Sequence, residues 1–298
     1  MTTEIIIATP NAPSGLQPNL SGVDDDGRFV ALWVQRQTSI HTRRAYAVDA
    51  RRLLDHLGKP LRQATLMDLQ SFAASLTGSA KSNARVLGSV KSLLTFGQTT
   101  GYLQYNVGKA LKIPPSKDTL TERILTEEEA FRLLTAASPG RDRVLLRLIY
   151  AAGIRVSEVC GLSWRDVQPR DESGQINVYG KRGKTRTVLL PTKGSLWADL
   201  LALRGASFDD DPVFLSRTGK RMDPSAVWRV VKKAARVAGI TRPVSPHWFR
   251  HSHATHAMDR GAPIHLVKTT LGHENIATTD RYVHARPNES SSTFLAAV

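Results

Sequence analysis

Cysteine is almost absent from this sequence, since Cys160 is the only one among 298 residues. A single thiol excludes an intrachain disulfide and a zinc site built from several cysteines, and it favours a reducing compartment. Long apolar runs are lacking as well. The short run at residues 5–8 has no basic residues before it, so we expect neither a secretory signal peptide nor a membrane span. These absences predict a cytoplasmic protein.

Acidic residues are too few to balance the basic ones. Lys and Arg number 41 and Asp and Glu number 26, which leaves a formal net charge of +15. This excess favours a polyanionic partner, and nucleic acid ahead of a membrane because no amphipathic basic segment is present. The alternative is a basic protein whose charge serves solubility alone. The sequence also lacks a glycine-rich GxxxxGK[ST] loop for binding phosphates.

The length of 298 residues suits two domains, each with its own core. Residues 1–21 are rich in Pro, Asn, Ser and Gly and are predicted to form a flexible arm. Residues 22–112 have apolar residues at helical spacing, which predicts a bundle of four or five helices. Residues 113–124 contain paired prolines and are predicted to be a linker to the second domain, 125–298.

The helices of the first domain are predicted to have apolar faces and basic flanks. The apolar faces are Phe29, Leu32 and Trp33; Tyr46, Leu53, Leu54 and Leu57; Leu69, Phe72, Ala73 and Leu76; and Val86, Val90, Leu93, Leu94 and Phe96. The basic flanks are Arg43, Arg44, Arg51 and Arg52 on one helix, and Lys81, Arg85 and Lys91 on another. Two basic helices in one small bundle favour contact with nucleic acid phosphates over a merely solvated charged face.

The second domain is predicted to mix helices with a β-hairpin. Thr126 and Glu129 form a capping box before the first helix, and an apolar helix over 143–152 ends near Gly153. Residues 175–180 and 185–191 have strand character and flank a basic hairpin tip at 181–184. A short strand is expected at 213–215, followed by a helix over 224–238 with Trp228, Val231 and Ala235 inward.

Residues 245–284 gather groups that suit chemistry on a phosphodiester. His247 and Arg250 are three positions apart and share a helix face, and Gly272 suits the left-handed residue that ends a helix before His273. Tyr282 follows on a predicted short helix. A phosphodiester under attack needs a nucleophile, fixed cationic or N–H donors, and an acid for the leaving oxygen. Arg155, held by Glu158, supplies a second arginine, and a lysine of the hairpin tip could supply the acid.

Several boxes of this sequence resemble those of the tyrosine recombinase family, the integrases and Xer-type chromosome-resolution enzymes. Residues 152–158 with Leu162 resemble the family's first arginine motif, and residues 247–256 resemble its HxLRH[ST]xA[TS]H motif. The LGH...TTxxYxH motif is matched by residues 271–273, 278–279 and 282–284. In the first domain, residues 39–46 with Asp49 resemble the SxxTxxxYxxD pattern. Phe249, His253 and Val107 depart from the usual residues, without removing a catalytic group.

The resemblance implies a fold and a set of roles. The fold is mainly α, with a SAM-like helical core-binding bundle and a mixed α+β catalytic domain that contains a small antiparallel sheet. Arg155 and Arg250 would clamp the phosphate, Lys181 would be the general acid with Lys184 as runner-up, His247 and His273 would assist, and Tyr282 would attack. DNA backbone contacts are expected from Arg43, Arg44, Lys81, Arg85, Lys91 and Lys184.

The implied activity is site-specific cleavage and rejoining of double-stranded DNA through a 3′-phosphotyrosyl bond, with no cofactor and no metal. Four protomers, of one or two kinds, would act on two DNA sites. The task could be chromosome dimer resolution, integration of a phage or mobile element, or inversion. The rivals are a catalytically silent DNA-binding relative, a type IB topoisomerase, and a metal site built from His247, His251, His253 and His256, which lacks acidic ligands nearby.

Overall fold

The computed structural model describes residues 19–115, 119–180 and 183–273, together with Asn275, Thr279 and Tyr282. The chain forms two compact units, Met1–Lys117 and Asp118–Val298. Each unit has its own buried apolar cluster, as expected from the length of the chain. In the described ranges, every helix is too short or too polar to cross a membrane.

The described part of the first unit is helical. Its α-helices are α1 (Asp26–Gln35), α2 (Ile40–Leu57), α3 (Leu66–Ser75) and α4 (Ala80–Thr99), with single 3-10 turns at Leu61–Gln63 and Val107–Lys109. The Asp25 carboxylate accepts the N–H groups of Gly27 and Arg28 at the start of α1. A capping box of Thr65 and Asp68 begins α3. Such caps satisfy N–H groups that have no partner within the helix.

The predicted apolar faces of this unit form its core, with one exception. Phe29 and Trp33 are buried in α1, but the side chain of Leu32 is 36% exposed. Successive residues of a helix point about 100° apart, so Leu32 lies at the rim of the stripe formed by Phe29 and Trp33. The prediction for Leu32 was therefore wrong. Trp33 also stacks on Tyr46, with ring centroids 4.7 Å apart.

The second unit surrounds a small sheet with helices. Its elements are α5 (Glu127–Ala136), α6 (Arg141–Ala152), α7 (Val156–Gly161), β1 (Val167–Arg170), β2 (Ser173–Tyr179), β3 (Thr185–Leu189), α8 (Leu196–Ala202), α9 (Pro224–Val237), α10 (Pro246–Asp259) and α11 (Ile264–Leu271). Single 3-10 turns lie at Thr121–Arg123 and Trp164–Asp166. The predicted capping box of Thr126 and Glu129 is present at the start of α5.

The sheet is antiparallel with the order β1-β2-β3. Ile176 is paired with Val167 of β1 and with Val188 of β3, and all three side chains are buried. The predicted hairpin is confirmed as β2 and β3, whose turn is closed by a 2.7 Å hydrogen bond from the Gly180 N–H to the Lys184 carbonyl oxygen. β1 was not predicted because it is short and half polar.

Two predictions for the second unit were wrong. Residues 213–215 do not form a strand; single bridges pair Pro212 with Ser163 and Leu215 with Arg221. In α9 the buried stripe runs through Val227, Val231 and Ala234, so Trp228 is 39% exposed instead of inward. The valines sit four residues apart on one face, and Trp228 is rotated away from that face by one position.

The described end of the predicted linker belongs to the second unit. Leu120 and Ile124 are buried in a cluster with Val267, Leu271 and Tyr282. The next residue, Leu125, donates its N–H to Ser252 Oγ at 2.8 Å, and its carbonyl oxygen lies 2.9 Å from His256 Nε2. Compact structure in this unit therefore begins before residue 125, the predicted boundary.

Candidate active site

α10 is the element on which the candidate site is built. It carries His247, Arg250 and His251, and it packs against α6 and α11. Both neighbouring helices end at a glycine in the left-handed conformation, Gly153 with φ 58° and Gly272 with φ 63°. Glycine reaches that conformation without a steric penalty, so each helix stops sharply beside α10.

Arg250 is a cation buried between those two helix ends. Its side chain is 4% exposed, and its guanidinium donates to the Gly153 carbonyl oxygen at 2.5 Å and to the Leu271 carbonyl oxygen at 2.6 Å. Carbonyl groups at helix C-termini carry partial negative charge, which favours a cation there. Burial, and then the neighbouring Arg155, lowers the pKa of Arg250 to about 9. The guanidinium therefore remains charged near pH 7 and strongly attracts an anion.

Arg155 is oriented by Glu158, as its spacing predicted. Glu158 accepts the Arg155 backbone N–H at 2.8 Å and its guanidinium at 2.7 Å. A further Arg155 nitrogen donates to the Gly272 carbonyl oxygen at 3.3 Å, so this arginine contacts the same helix end that faces Arg250. The two predicted arginines are thus brought to one place. The nearby charge of Arg155 also contributes to the lowered pKa of Arg250.

Arg186 is a third arginine at this place, and it was not predicted as a site residue. Its guanidinium donates to both carboxylate oxygens of Glu158, at 3.0 and 2.8 Å, and to the Thr270 carbonyl oxygen at 2.7 Å. Burial raises the pKa of Glu158, but the hydrogen bonds from Arg186 and the Arg155 N–H outweigh it, and the pKa falls to about 2. Glu158 is therefore an anion that orients two cations.

His247 and His273 lie close to these arginines. Burial, followed by the charges of Arg250 and Arg155, lowers the pKa of both imidazoles, to about 4 for His273. At neutral pH each ring is then uncharged, with one N–H donor and one acceptor nitrogen. His273 Nδ1 is 2.9 Å from Thr279 Oγ1, which leaves Nε2 on the opposite side of the ring. His247 lies in the first turn of α10, where helix N–H groups favour anions.

Tyr282 is also brought into this group. The residue is helical and 4% exposed, and its ring stacks on His273 with centroids 6.2 Å apart. Its hydroxyl oxygen is 2.8 Å from Nδ1 of His251. The charge of Tyr282 contributes to the pKa of Arg250, so the phenol is within electrostatic reach of the guanidinium.

The lysines of the hairpin tip are only partly described. Lys181 lies outside the described residues, and the side chain of Lys184 is exposed. Arg186 follows two residues later on β3 and is tied to Glu158 and Thr270. The base of the hairpin is therefore attached to Glu158 and to the end of α11.

Three of the four histidines of the rival metal site have separate partners. His251 contacts Tyr282, and His253 Nδ1 lies 2.8 Å from the Tyr150 carbonyl oxygen. His256 lies between the Tyr150 hydroxyl and Leu125. Within the described ranges no group of three or more His, Cys, Asp or Glu side chains is arranged to hold a metal ion.

Three of the basic residues predicted to contact DNA have partners inside the first unit. Arg85 donates to both carboxylate oxygens of buried Asp49, at 2.6 and 2.9 Å. Lys91 donates to the Leu111 carbonyl oxygen, and Arg43 to the carbonyl oxygen of Gln37. Arg44 and Lys81 are exposed on α2 and α4, as are Arg51 and Arg52. Arg43 and Arg85 are exposed as well, but their guanidinium groups already bind these partners, so Arg44 and Lys81 are the better candidates for phosphate contacts.

Arg186 and His251 are the two site residues that sequence reasoning missed. For Arg186 a signal existed: it lies two positions before buried Val188 on β3, so the alternation of a strand places both on one face. For His251 no spacing gave a signal, because its partner Tyr282 is distant in sequence. The sequence named His251 only as part of the motif at residues 247–256 and as a ligand of the rival metal site.

Comparisons with known proteins show the family of the whole chain. A sequence model described as the phage integrase family matches residues 123–289, and one for the phage integrase N-terminal SAM-like domain matches residues 28–99. The chain is 35% identical over 287 residues to tyrosine recombinase XerC of Mycobacterium leprae strain TN, covering 88% of this chain and 93% of that protein. It is 33% identical over 292 residues to tyrosine recombinase XerD of Bifidobacterium longum strain NCC 2705, covering 90% and 94%.

A solved structure has the same fold. It is XerH site-specific recombinase bound to a palindromic difH substrate in a post-cleavage complex, with a TM-score of 0.74 and 20% identity, covering 93% of this chain and 86% of that one. At that identity the likeness concerns the fold alone. The predicted fold class, a helical SAM-like bundle and a catalytic domain with a small antiparallel sheet, is confirmed.

Proposed function

The chain belongs to the phage integrase family, the tyrosine recombinases, and is a site-specific DNA recombinase. We propose that it cleaves DNA with Tyr282 as its nucleophile. The observation that carries this assignment is the buried Arg250 guanidinium, which is held by carbonyl oxygens and faces Arg155, two histidines and a buried phenol. A scissile phosphate is an anion that suits such a pocket. DNA binding alone would not need a phenol buried beside it.

The chemistry conserves bond energy. The Tyr282 oxygen attacks phosphorus, the bond to the 5′ oxygen breaks, and a 3′-phosphotyrosyl bond forms; the 5′ hydroxyl of a partner strand then reverses the step. Arg155 and Arg250 balance the charge of the five-coordinate phosphorus, and neutral His247 and His273 donate N–H groups to its oxygens. Lys181 or Lys184 protonates the leaving 5′ oxygen. The guanidinium groups supply the charge that a metal ion supplies in other phosphoryl-transfer sites.

The first unit is proposed to position the DNA. Arg44 and Lys81, which are exposed on α2 and α4, contact backbone phosphates, and Lys184 does so from the hairpin if it is not the acid. Arg43, Arg85 and Lys91 contribute charge while they also hold the bundle together. These contacts fix the register of the duplex without reading its sequence.

Four protomers on two DNA sites are the proposed assembly. The XerH complex contains a palindromic site, and a two-fold DNA sequence suits protomers related by the same symmetry. The relatives named XerC and XerD favour chromosome dimer resolution in the cytoplasm over mobile-element integration. Exchange on two identical sites by the purified chain alone would show that no second recombinase is required.

A nicked suicide duplex tests the assignment of Tyr282. After cleavage, the short fragment between the cleavage site and the nick, which carries the new 5′ hydroxyl, diffuses away and the covalent adduct is trapped. We expect an adduct with the native chain and none with Tyr282→Phe, while the affinity for DNA is nearly unchanged. Equal adduct in both would refute the assignment, and no adduct in either would favour a silent DNA-binding protein. Relaxation of a supercoiled circle without a specific site would favour a topoisomerase.

A further inference from the structure

His251 is the residue whose position carries an inference beyond the proposed roles. It follows Arg250 on α10, and its Nδ1 lies 2.8 Å from the Tyr282 hydroxyl oxygen. His273, another imidazole near this ring, lies nearly parallel to it, with ring centroids 6.2 Å apart, and uses its own Nδ1 for Thr279. His251 places a ring nitrogen within hydrogen-bond distance of the phenol oxygen itself.

The nucleophile must lose a proton for the reaction to proceed. A phenol has an ordinary pKa near 10 and is almost fully protonated at neutral pH, whereas an ordinary imidazole, with a pKa of about 6.5, is mostly neutral and able to accept. A general base must lie within about 2.6 to 3.2 Å of the oxygen that it deprotonates. The distance from His251 to Tyr282 meets that condition before any substrate is bound.

We propose that His251 is the general base that accepts the phenol proton of Tyr282, an inference that rests on the proposed role of Tyr282 as nucleophile. In this step Nε2 of His251 carries the ring proton and Nδ1 accepts the proton of the phenol. As the oxygen–phosphorus bond forms, the proton moves from the Tyr282 oxygen to Nδ1, and the bond to the 5′ oxygen breaks with a proton from Lys181 or Lys184. Rejoining returns both protons, so His251 is then the acid for the phenol.

A positive charge on His251 would form next to Arg250 in the chain, which opposes it, and near His273, which is neutral in the free protein. The scissile phosphate brings the balancing negative charge to the same pocket. Proton transfer is therefore favoured when DNA is present, and in the free protein the phenol is buried. His251 thereby links ionisation of the nucleophile to occupation of the site.

Two substrates distinguish the role of His251 as general base from the role of Lys181 or Lys184 as general acid. One is the ordinary suicide duplex, and the other has sulfur in place of the bridging 5′ oxygen, because a thiolate leaves without protonation. With His251→Ala we expect the single-turnover cleavage rate to fall about 100- to 10,000-fold on both substrates. With Lys181→Ala or Lys184→Ala, whichever lysine is the acid, we expect the loss on the oxygen substrate to be restored on the sulfur substrate.

Imidazole added to His251→Ala provides a readout that a structural role would not change. We expect partial recovery of cleavage that grows with the basicity of substituted imidazoles. His251→Gln, which keeps a similar size and a hydrogen bond without a titratable nitrogen, guards against a folding defect and should remain slow. His265→Ala is the matched control, because His265 is exposed on α11 and should leave the rate unchanged.

The outcomes distinguish this inference from the proposed function. Cleavage by His251→Gln at the native rate would show that the hydrogen bond matters and the proton transfer does not, and faster cleavage by His251→Ala would show that His251 restrains the phenol; either result overturns the proposal. An adduct formed by Tyr282→Phe would instead overturn the choice of nucleophile. Fluorescence spectra and DNA affinity matched to the native chain establish that each variant is folded.

Discussion

Replacing Arg186 by methionine removes the guanidinium that joins β3 to Glu158 and to the end of α11. The side chain of Arg186 is 11% exposed and that of Glu158 is 4% exposed, so the pair is buried. Methionine fills a similar volume without offering a donor. Glu158 would keep only its bonds from Arg155, and the Thr270 carbonyl oxygen would lose its bond to Arg186.

The expected loss of unfolding free energy follows from two lines of reasoning. Removing one partner of a buried ion pair costs about 3 to 5 kcal/mol, less when the other partner keeps further bonds. The pKa of Glu158 falls from 4.5 to about 2 on folding, with Arg186 the largest stabilising contributor. At about 1.4 kcal/mol for each pKa unit, this lowering corresponds to roughly 3.5 kcal/mol, the balance between the partners that lower the pKa and the burial that raises it. We expect Arg186→Met to lose about 2 to 3 kcal/mol.

The effect should depend on pH with a defined sign. Because folding lowers the pKa of Glu158, its stabilisation is complete above pH 4.5 and is lost as the pH falls toward 2. The difference between native chain and variant is therefore largest at pH 7 and shrinks below about pH 4.5. Urea unfolding in a Trp33→Phe background follows the second unit alone, since the other tryptophans are Trp164, Trp197, Trp228 and Trp248.

Arg221→Met is the matched control. Arg221 donates to the carbonyl oxygens of Cys160 and Leu162 and to Ser163 Oγ, none of which titrates in this range. Its loss should destabilise the same unit by an amount that does not change between pH 7 and pH 4. Equal pH dependence in both variants, or native stability in Arg186→Met, would refute the reasoning about Glu158.

Three further substitutions test the packing around the site and in the first unit. Gly153→Ala should cost at least about 2 kcal/mol, because its φ is 58° and a Cβ would lie 2.7 Å from His253 Cδ2; Gly239→Ala in the same unit, with φ 68° and open space around it, should cost less in the same urea titration. Ser252→Ala should cost about 1 to 3 kcal/mol, since the Leu125 N–H loses its acceptor, while Thr269→Ala on the exposed side of α11 should be near neutral. Asp49→Asn should weaken the first unit by about 2 kcal/mol or more, as faster hydrogen exchange of α2 and α4 amides, and an unchanged exchange rate would show that Arg85 does not stabilise the bundle.

Local signals in the sequence predicted much of this molecule. The capping box at Thr126, the left-handed Gly272 and the pairing of Arg155 with Glu158 each depend on residues no more than four positions apart. Such features follow from helix geometry whatever the rest of the chain does. The hairpin of β2 and β3 was also predictable from a local pattern, because two strand-like segments flank a short basic turn.

Contacts between distant segments were not predictable from local patterns. Arg85 reaches Asp49 across two helices, Arg186 reaches Thr270, and His251 reaches Tyr282. A basic residue on a helix or strand looks the same in sequence whether it faces solvent or a buried carboxylate. For Lys181 and residues 283–298 the sequence-based expectations remain predictions, because these positions lie outside the described residues.

The way Arg250 is held has a consequence for anions other than DNA. Its two acceptors are the carbonyl oxygens of Gly153 and Leu271, which belong to the main chain and cannot be protonated near neutrality or removed by mutation. The guanidinium therefore stays in place with its charge largely uncancelled while the pocket is empty. Sulfate or vanadate in the buffer should compete for it, so salts with divalent anions should inhibit strand cleavage more than chloride does at equal ionic strength.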